Sequence, residues 1–186
     1  MIYFDHSATT PIHPLVAKKV NNINRRRYAN PSSIYSGGRK AKSLIEKARA
    51  QVANAIGAKN TQIFFTSGGT ESNNQVLWNK LNDEKKHIIV SSIEHPAIIK
   101  VLKKIEHYGI TSSFIPVNKN GLVEIESVMK LIKKDTGLIS IMLANNEVGT
   151  IQPIQKIIEK TNSLNIPFHT DAVQALGKIP IDVNIL

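Results

Sequence analysis

The spacing of apolar positions changes along the chain. Between residues 37 and 56, Leu44, Ile45, Ala48, Val52, Ala55 and Ile56 return at steps of three and four, the period of one helix face, and Gly57 follows where a helix would close. From residue 63 onward, short apolar runs alternate with stretches of helical period. The runs 63–66, 88–92, 114–117, 138–143 and 166–170 read as strands, and 69–81, 97–108, 125–134 and 154–164 read as helices, the second ended by Gly109. Strands separated by single helices predict an α/β class with a mainly parallel sheet flanked by helical crossovers. Upstream, the small polar residues and proline of S-A-T-T-P-I-H make 1–13 an extended arm. Pro14 suits the first turn of a helix over 15–24, and Y-A-N-P-S-S marks a loop. The expected organisation is an arm and bracing helix over 1–60, then part of an α/β domain over 61–186.

Composition narrows the function classes. A chain of 186 residues with 41% hydrophobic and 20% charged residues can bury one sizeable core. It has no apolar run near the roughly 18 residues that span a bilayer, and Met1 leads into I-Y-F-D-H rather than a basic-then-apolar leader, so the expectation is a soluble, unexported, cytoplasmic protein with no membrane partner. The absence of cysteine excludes disulfides, thiolate metal sites and a thiol nucleophile within the chain, and no metal site is expected. The net charge of +10 raises nucleic acid as a partner. Only Arg25, Arg26 and Arg27 cluster, however, no aromatics interleave with them, and Lys100, Lys103 and Lys104 fall on a polar helix face, so no nucleic-acid partner is expected.

The candidate chemistry lies where strands end, since ligands of open parallel sheets sit at the carboxyl edge. In I-P-F-H-T-D-A-V-Q, a short apolar run stops at Asp171, with Gln174 one turn onward. Asp171 reads either as the counter-ion of a protonated ring nitrogen, as in pyridoxal phosphate sites, or as the cap of the turn after the strand. In T-S-G-G-T-E-S-N, a strand passes into a helix through two glycines. Gly69 and Thr70 are phosphate candidates there, against the alternative of a capped helix start with Glu71 favouring the dipole. The segment lacks both the P-loop and the G-x-G-x-x-G spacing. S-I-E-H-P sets His95 just past another strand, as a ring that stacks on a cofactor and moves protons or as a surface loop histidine. A-N-N-E-V-G brings Asn145, Asn146 and Glu147 to the same edge, as ligand contacts or an Asn-rich turn. Four strand ends delivering Thr70, His95, Asn146 and Asp171 to one rim argue for a ligand site more strongly than any one of them.

Together these segments resemble the class V aminotransferase group, most closely its NifS/IscS-type cysteine desulfurases. The likeness runs through Y-F-D-H-S-A-T-T-P, A-N-P-S-S, F-T-S-G-G-T-E-S-N, E-H-P-A, N-N-E-V-G-T-I-Q-P and H-T-D-A-V-Q-A-L-G-K-I-P-I-D, essentially the whole chain. The resemblance implies the large domain of the type I fold of pyridoxal-phosphate-dependent transferases, like that of aspartate aminotransferase. It also implies that Gly69 and Thr70 hold the cofactor phosphate and that His95 stacks on the ring with an acid-base role. Asn146 would lie beside ring and substrate, Asp171 would pair with the pyridine nitrogen, Gln174 would bond the phenolic oxygen, and Asn30 would sit near the substrate carboxylate. The implied reaction takes sulfur from L-cysteine, leaving alanine and an enzyme persulfide for iron-sulfur cluster or thio-cofactor assembly. The implied enzyme is a homodimer that serves a sulfur-acceptor or scaffold protein.

The family's Schiff-base lysine follows on a further strand in an S-x-H-K motif, which this sequence does not contain, and Lys178 matches a structural loop lysine instead. The persulfide cysteine and the carboxylate-binding arginine belong to that same further portion. The expectation is therefore a truncated N-terminal portion, inactive alone. The alternatives are another class V lyase, such as a selenocysteine lyase, and a non-catalytic piece that pairs with a separate C-terminal half.

Overall fold

The computed structural model describes residues 2–186. The chain forms two compact units, residues 2–64 with 182–184 and residues 65–181 with 185–186.

In the first unit, helix α1 (Pro14–Arg26) opens with His13, whose Nδ1 accepts the Leu15 N–H at 3.3 Å, and Pro14 fills the first turn. None of its residues is buried, and Leu15, Val16 and Val20 are exposed. Helix α2 (Ser36–Ala55) buries Gly38, Ala41 and Ala53. It closes where the sequence places the stop: Gly57 takes φ +71°, and the Ala58 N–H reaches back to Ala53 O at 2.9 Å.

The second unit is built on a four-stranded parallel sheet in the order β2-β1-β3-β4, with β1 His87–Ser91, β2 Thr111–Ile115, β3 Thr136–Ser140 and β4 Phe168–His169. All five residues of both β1 and β3 are buried, as expected of central strands covered on both faces. Their side chains alternate between two cores. Ile88, Val90 and Leu138 pack with Leu77 of α3 (Gly69–Asn79) and with Ile98, Leu102 and Ile105 of α4 (Pro96–Ile105). Ile89, Ile139 and Ile141 pack with Val128 of α5 (Ile125–Leu131) and with Ile154 and Ile157 of α6 (Ile154–Thr161). At roughly 25 cal/mol per Å² of apolar surface removed from water, these two layers supply the main stabilisation of the unit. Among the described residues, no helix is long and apolar enough to cross a membrane.

The expected alternation holds with three differences. Residues 63–66 are extended but join no sheet ladder, and Phe64 lies 80% exposed. Among the described residues, the four-stranded sheet does not include this run. Strand β2 begins at Thr111 rather than at 114, because an edge strand tolerates the polar run T-S-S. The regular part of β4 is only two residues long, yet pairing continues beyond it: Ile141 N donates to His169 O at 3.1 Å and Leu143 N to Asp171 O at 2.9 Å.

Candidate functional site

Asp171 lies at the carboxyl end of β4, where its carbonyl takes the Leu143 N–H and its carboxylate is gripped twice. Oδ1 accepts the Val173 N–H at 3.0 Å, which is the turn cap, and Oδ2 accepts Asn73 Nδ2 at 2.8 Å from helix α3. Capping thus occupies one oxygen and leaves the other to orient the group. The two donors fix the orientation of the carboxylate at the strand end. Asp171 also opposes the fall in basicity that burial imposes on His169, whose Nδ1 lies 2.8 Å from Ser140 Oγ.

The strand-to-helix turn before α3 meets the turn after β4. A Cβ on Gly69 would come within 2.8 Å of Val173 Cγ2, so a side chain there would force the two turns apart. Glu71 Oε2 accepts the Ser67 N–H at 2.7 Å and the Ser67 hydroxyl at 2.6 Å. These bonds hold the Glu71 carboxyl below the ordinary carboxylate range and tie the turn to the first turn of the helix. The helix start can therefore bind an anion through the first-turn N–H groups of Gly69 and Thr70, with the exposed Thr70 hydroxyl beside them.

His95 caps α4, its Nδ1 accepting the Ala97 N–H at 3.1 Å ahead of Pro96. That bond requires the lone pair on Nδ1, so the neutral ring carries its proton on Nε2. His95 and Asn146 line one cleft of about 700 Å³, with Ser92, Lys119, Asn120 and Asn145 among the other wall residues. The part of the wall around Asn120, Gly121 and Thr150 is tied together by Gln152 and Thr150. Gln152 Oε1 accepts Val123 N at 2.8 Å, its Nε2 donates to Gly121 O at 2.6 Å, and Thr150 Oγ1 donates to Asn120 O at 2.8 Å. The two asparagines differ in role. Asn145 is buried and shapes its loop, taking the N–H groups of Glu147 and Val148 at 2.9 Å and donating to Ile93 O at 3.2 Å. Asn146 is half-buried in the cleft wall.

The structure thus joins Asp171 to α3 and places His95 with Asn146, while Thr70, Asp171 and Gln174 do not line that cleft. Gln174 Oε1 accepts Lys178 Nζ at 2.6 Å, so Lys178 stands beside Gln174. Asn30 belongs to the first unit, where its Oδ1 caps a local turn through Ser32 N at 2.9 Å. Among the described residues, no group of three or more His, Asp or Glu side chains could hold a metal ion.

Two participants escape a reading of the sequence. Asn73 falls on the stripe of α3 that includes Gly69 and Leu77, and a buried Asn on an apolar stripe signals a partner. Glu94, 7% exposed, looks in sequence like an ordinary acid near a helix start. Its Oε1 accepts Ser91 Oγ at 2.5 Å and Met142 N at 2.7 Å, and Oε2 is buried with no hydrogen-bond partner. Burial, with a further push from Asp171, raises this carboxyl to about 7 despite those two donors.

The aminotransferase class V family model matches residues 2–186. The chain is 44% identical over 188 residues to the cysteine desulfurase IscS of Dictyoglomus turgidum, covering all of this chain and 48% of that protein. It is 46% identical over 188 residues to the cysteine desulfurase IscS of Methanosarcina thermophila, covering 46% of it. A solved NifS-like protein superposes with a TM-score of 0.93 at 39% identity, over 98% of this chain and 51% of that one. SspA in complex with cysteine also superposes at 0.93, with 36% identity, over 99% and 54%. The chain spans about half the length of the relatives it matches, and its parallel sheet with flanking helices is the type I fold of pyridoxal-phosphate-dependent enzymes. By sequence and fold together, the chain belongs to the class V aminotransferase family.

Proposed function

We propose that the chain is the part of a cysteine desulfurase that seats pyridoxal 5'-phosphate and presents L-cysteine to it. The observation that carries this reading is the doubly held Asp171 carboxylate beside the glycine turn of α3. An acid fixed at a strand end fits a ring N–H⁺, and a helix start that a Cβ would crowd fits a phosphate. When bound, the cofactor supplies an electron sink that stabilises negative charge on the substrate's α-carbon. The chain's residues then have separate tasks. Asp171 keeps the ring nitrogen protonated, Gly69 N–H and Thr70 hold the phosphate, and His95 lies against the ring and moves a proton at Nε2. Asn146 flanks ring and substrate, Gln174 acts through its amide N–H donors, and Asn30 serves the substrate carboxylate. The similarity to SspA, which was solved in complex with cysteine, supports cysteine as the substrate, and the IscS relatives support sulfur delivery to an acceptor or scaffold protein from a homodimer. The chain contains no cysteine, so the thiol that takes the sulfur is not among these residues.

Pyridoxamine 5'-phosphate, which has no aldehyde to attach to lysine, isolates the non-covalent seat. Fluorescence titration of the chain is expected to show saturable binding. Asp171→Ala and Thr70→Ala are each expected to weaken it about tenfold, the worth of one charge-assisted bond. Binding by both variants as tight as that of the parent chain, or no binding by the parent chain, rejects this assignment of the seat.

A further inference from the structure

Of the two described buried side-chain atoms without a hydrogen-bond partner, one is Glu94 Oε2, at the rim just described. Glu94 sits in the loop between β1 and α4, immediately before His95, while its partner Met142 N lies beyond β3, four residues before Asn146. The bond therefore joins the two segments that carry the cleft's His95 and Asn146. It does not act alone. Asn145 Nδ2 donates to Ile93 O at 3.2 Å across the same gap and contacts Met142 Sδ at 3.3 Å, and Ser91 Oγ donates to the oxygen that Met142 uses.

We propose that Glu94 is a positioning residue: its Oε1 latches the β1–α4 loop to the segment after β3 and so sets how His95 and Asn146 stand across the cleft. Three observations carry it. The two acceptor bonds converge on one oxygen, so a single atom ties the end of β1 to the segment after β3. The side chain is 7% exposed and cannot drift to solvent without opening the rim. The bare Oε2 is tolerable only on an uncharged acid, since a buried carboxylate oxygen without a donor carries a large desolvation cost. Burial pushes this carboxyl up to about 7, which agrees with a proton resting there. Glu94 does its work through hydrogen-bond reach, with no need of charge. The inference concerns the free chain, and only its ligand-binding consequence rests on the function proposed above.

Two conservative variants separate reach from charge. Glu94→Gln keeps the acceptor at the same distance and places an amide nitrogen where Oε2 was. Glu94→Asp keeps the acid and withdraws it by one methylene. In two-dimensional NMR spectra of the ligand-free chain, the His95 imidazole and Asn146 side-chain amide signals are expected to move in Glu94→Asp and to stay near their parent positions in Glu94→Gln. Methyl signals of Ile89 and Ile139, inside the core that α5 and α6 cover, should remain in place in both, which separates repositioning from general unfolding. The reverse pattern, movement in both variants, or movement in neither overturns the proposal. Pyridoxamine phosphate binding is then expected to weaken about fivefold to tenfold in Glu94→Asp and to stay within about twofold in Glu94→Gln, the scale of one lost hydrogen bond. If the parent chain does not bind that probe while the NMR pattern holds, the proposed function fails and the latch stands.

Discussion

His87 is fully buried at the start of β1 and links three strands: its Nδ1 lies 2.8 Å from Thr136 Oγ1 on β3 and its Nε2 2.9 Å from Ser113 Oγ on β2. Thr136 Oγ1 also accepts the Lys133 N–H at 2.8 Å, so the ring is tied to a hydroxyl that itself anchors the turn before β3. Burial first, then the nearby Lys133 charge, pushes its proton affinity below the ordinary histidine value, with Asp135 opposing. The sign follows. The unfolded chain takes up the proton at a higher pH than the folded one, so His87 adds stability above the ordinary value of 6.5 and loses it as the pH falls through that point. His87→Gln is expected to cost about 1–3 kcal/mol at pH 7.5 through lost buried bonds. The gap between parent and variant in urea unfolding should narrow at pH 5.5, and a gap that widens on acidification contradicts the assignment. Glu94, raised to about 7, has the opposite slope, but it is present in both proteins and cancels in the difference. At this scale the sequence is only partly legible. Asp171, His95 and the glycine turn stand out because their residue types are unusual at strand ends. Asn73 and Glu94 do not, because their significance lies in contacts between segments tens of residues apart, Asn73 to Asp171 and Glu94 to Met142.

Among the elements, the central strands were the most readable and the edges the least. I-I-V in β1 and L-I-S-I-M-L across β3 are continuous apolar runs because helices cover both their faces, whereas β2 carries T-S-S at its exposed margin and starts three residues earlier than its apolar core suggests. The run 63–66 has strand composition but, among the described residues, lies outside the four-stranded sheet, which no local pattern can reveal. The junction of α3 with the turn after β4 offers a direct test of how elements set the site. Gly69→Ala would place a methyl 2.8 Å from Val173 Cγ2, an overpacking that costs about 1–3 kcal/mol unless one turn moves. Val173 is exposed, so Val173→Ala alone is expected to stay within about 0.5 kcal/mol. If the contact is what forbids a side chain at 69, the double variant recovers most of the loss, giving a coupling of at least about 1 kcal/mol in a double-mutant cycle. Additive effects would mean that the glycine is required for another reason.

Over the whole molecule, burial is distributed unevenly between the two units. Helix α1 buries no residue and leaves Leu15, Val16 and Val20 in solvent, while β1 and β3 are buried along their full lengths. An isolated helix of this length is marginal in water, since propagation barely repays nucleation below about 12–15 residues. Its His13 cap and Pro14 start fix where it begins without adding packing. The two regions should therefore differ in opening free energy by nearly the full stability of the second unit. In native-state hydrogen exchange, amides in the second half of α1 are expected to exchange with protection below about a hundredfold. Those of Ile88, Ile89, Leu138 and Ile139 should exchange only through unfolding of the sheet, with a denaturant dependence matching global unfolding. Raising the protein concentration tests what covers the exposed stripe: protection of α1 that grows with concentration while the strands stay constant shows a second copy seated on Leu15, Val16 and Val20. Protection of α1 equal to that of β1 at every concentration contradicts the expectation, because the helix would then draw its stability from packing that its own surface does not contain.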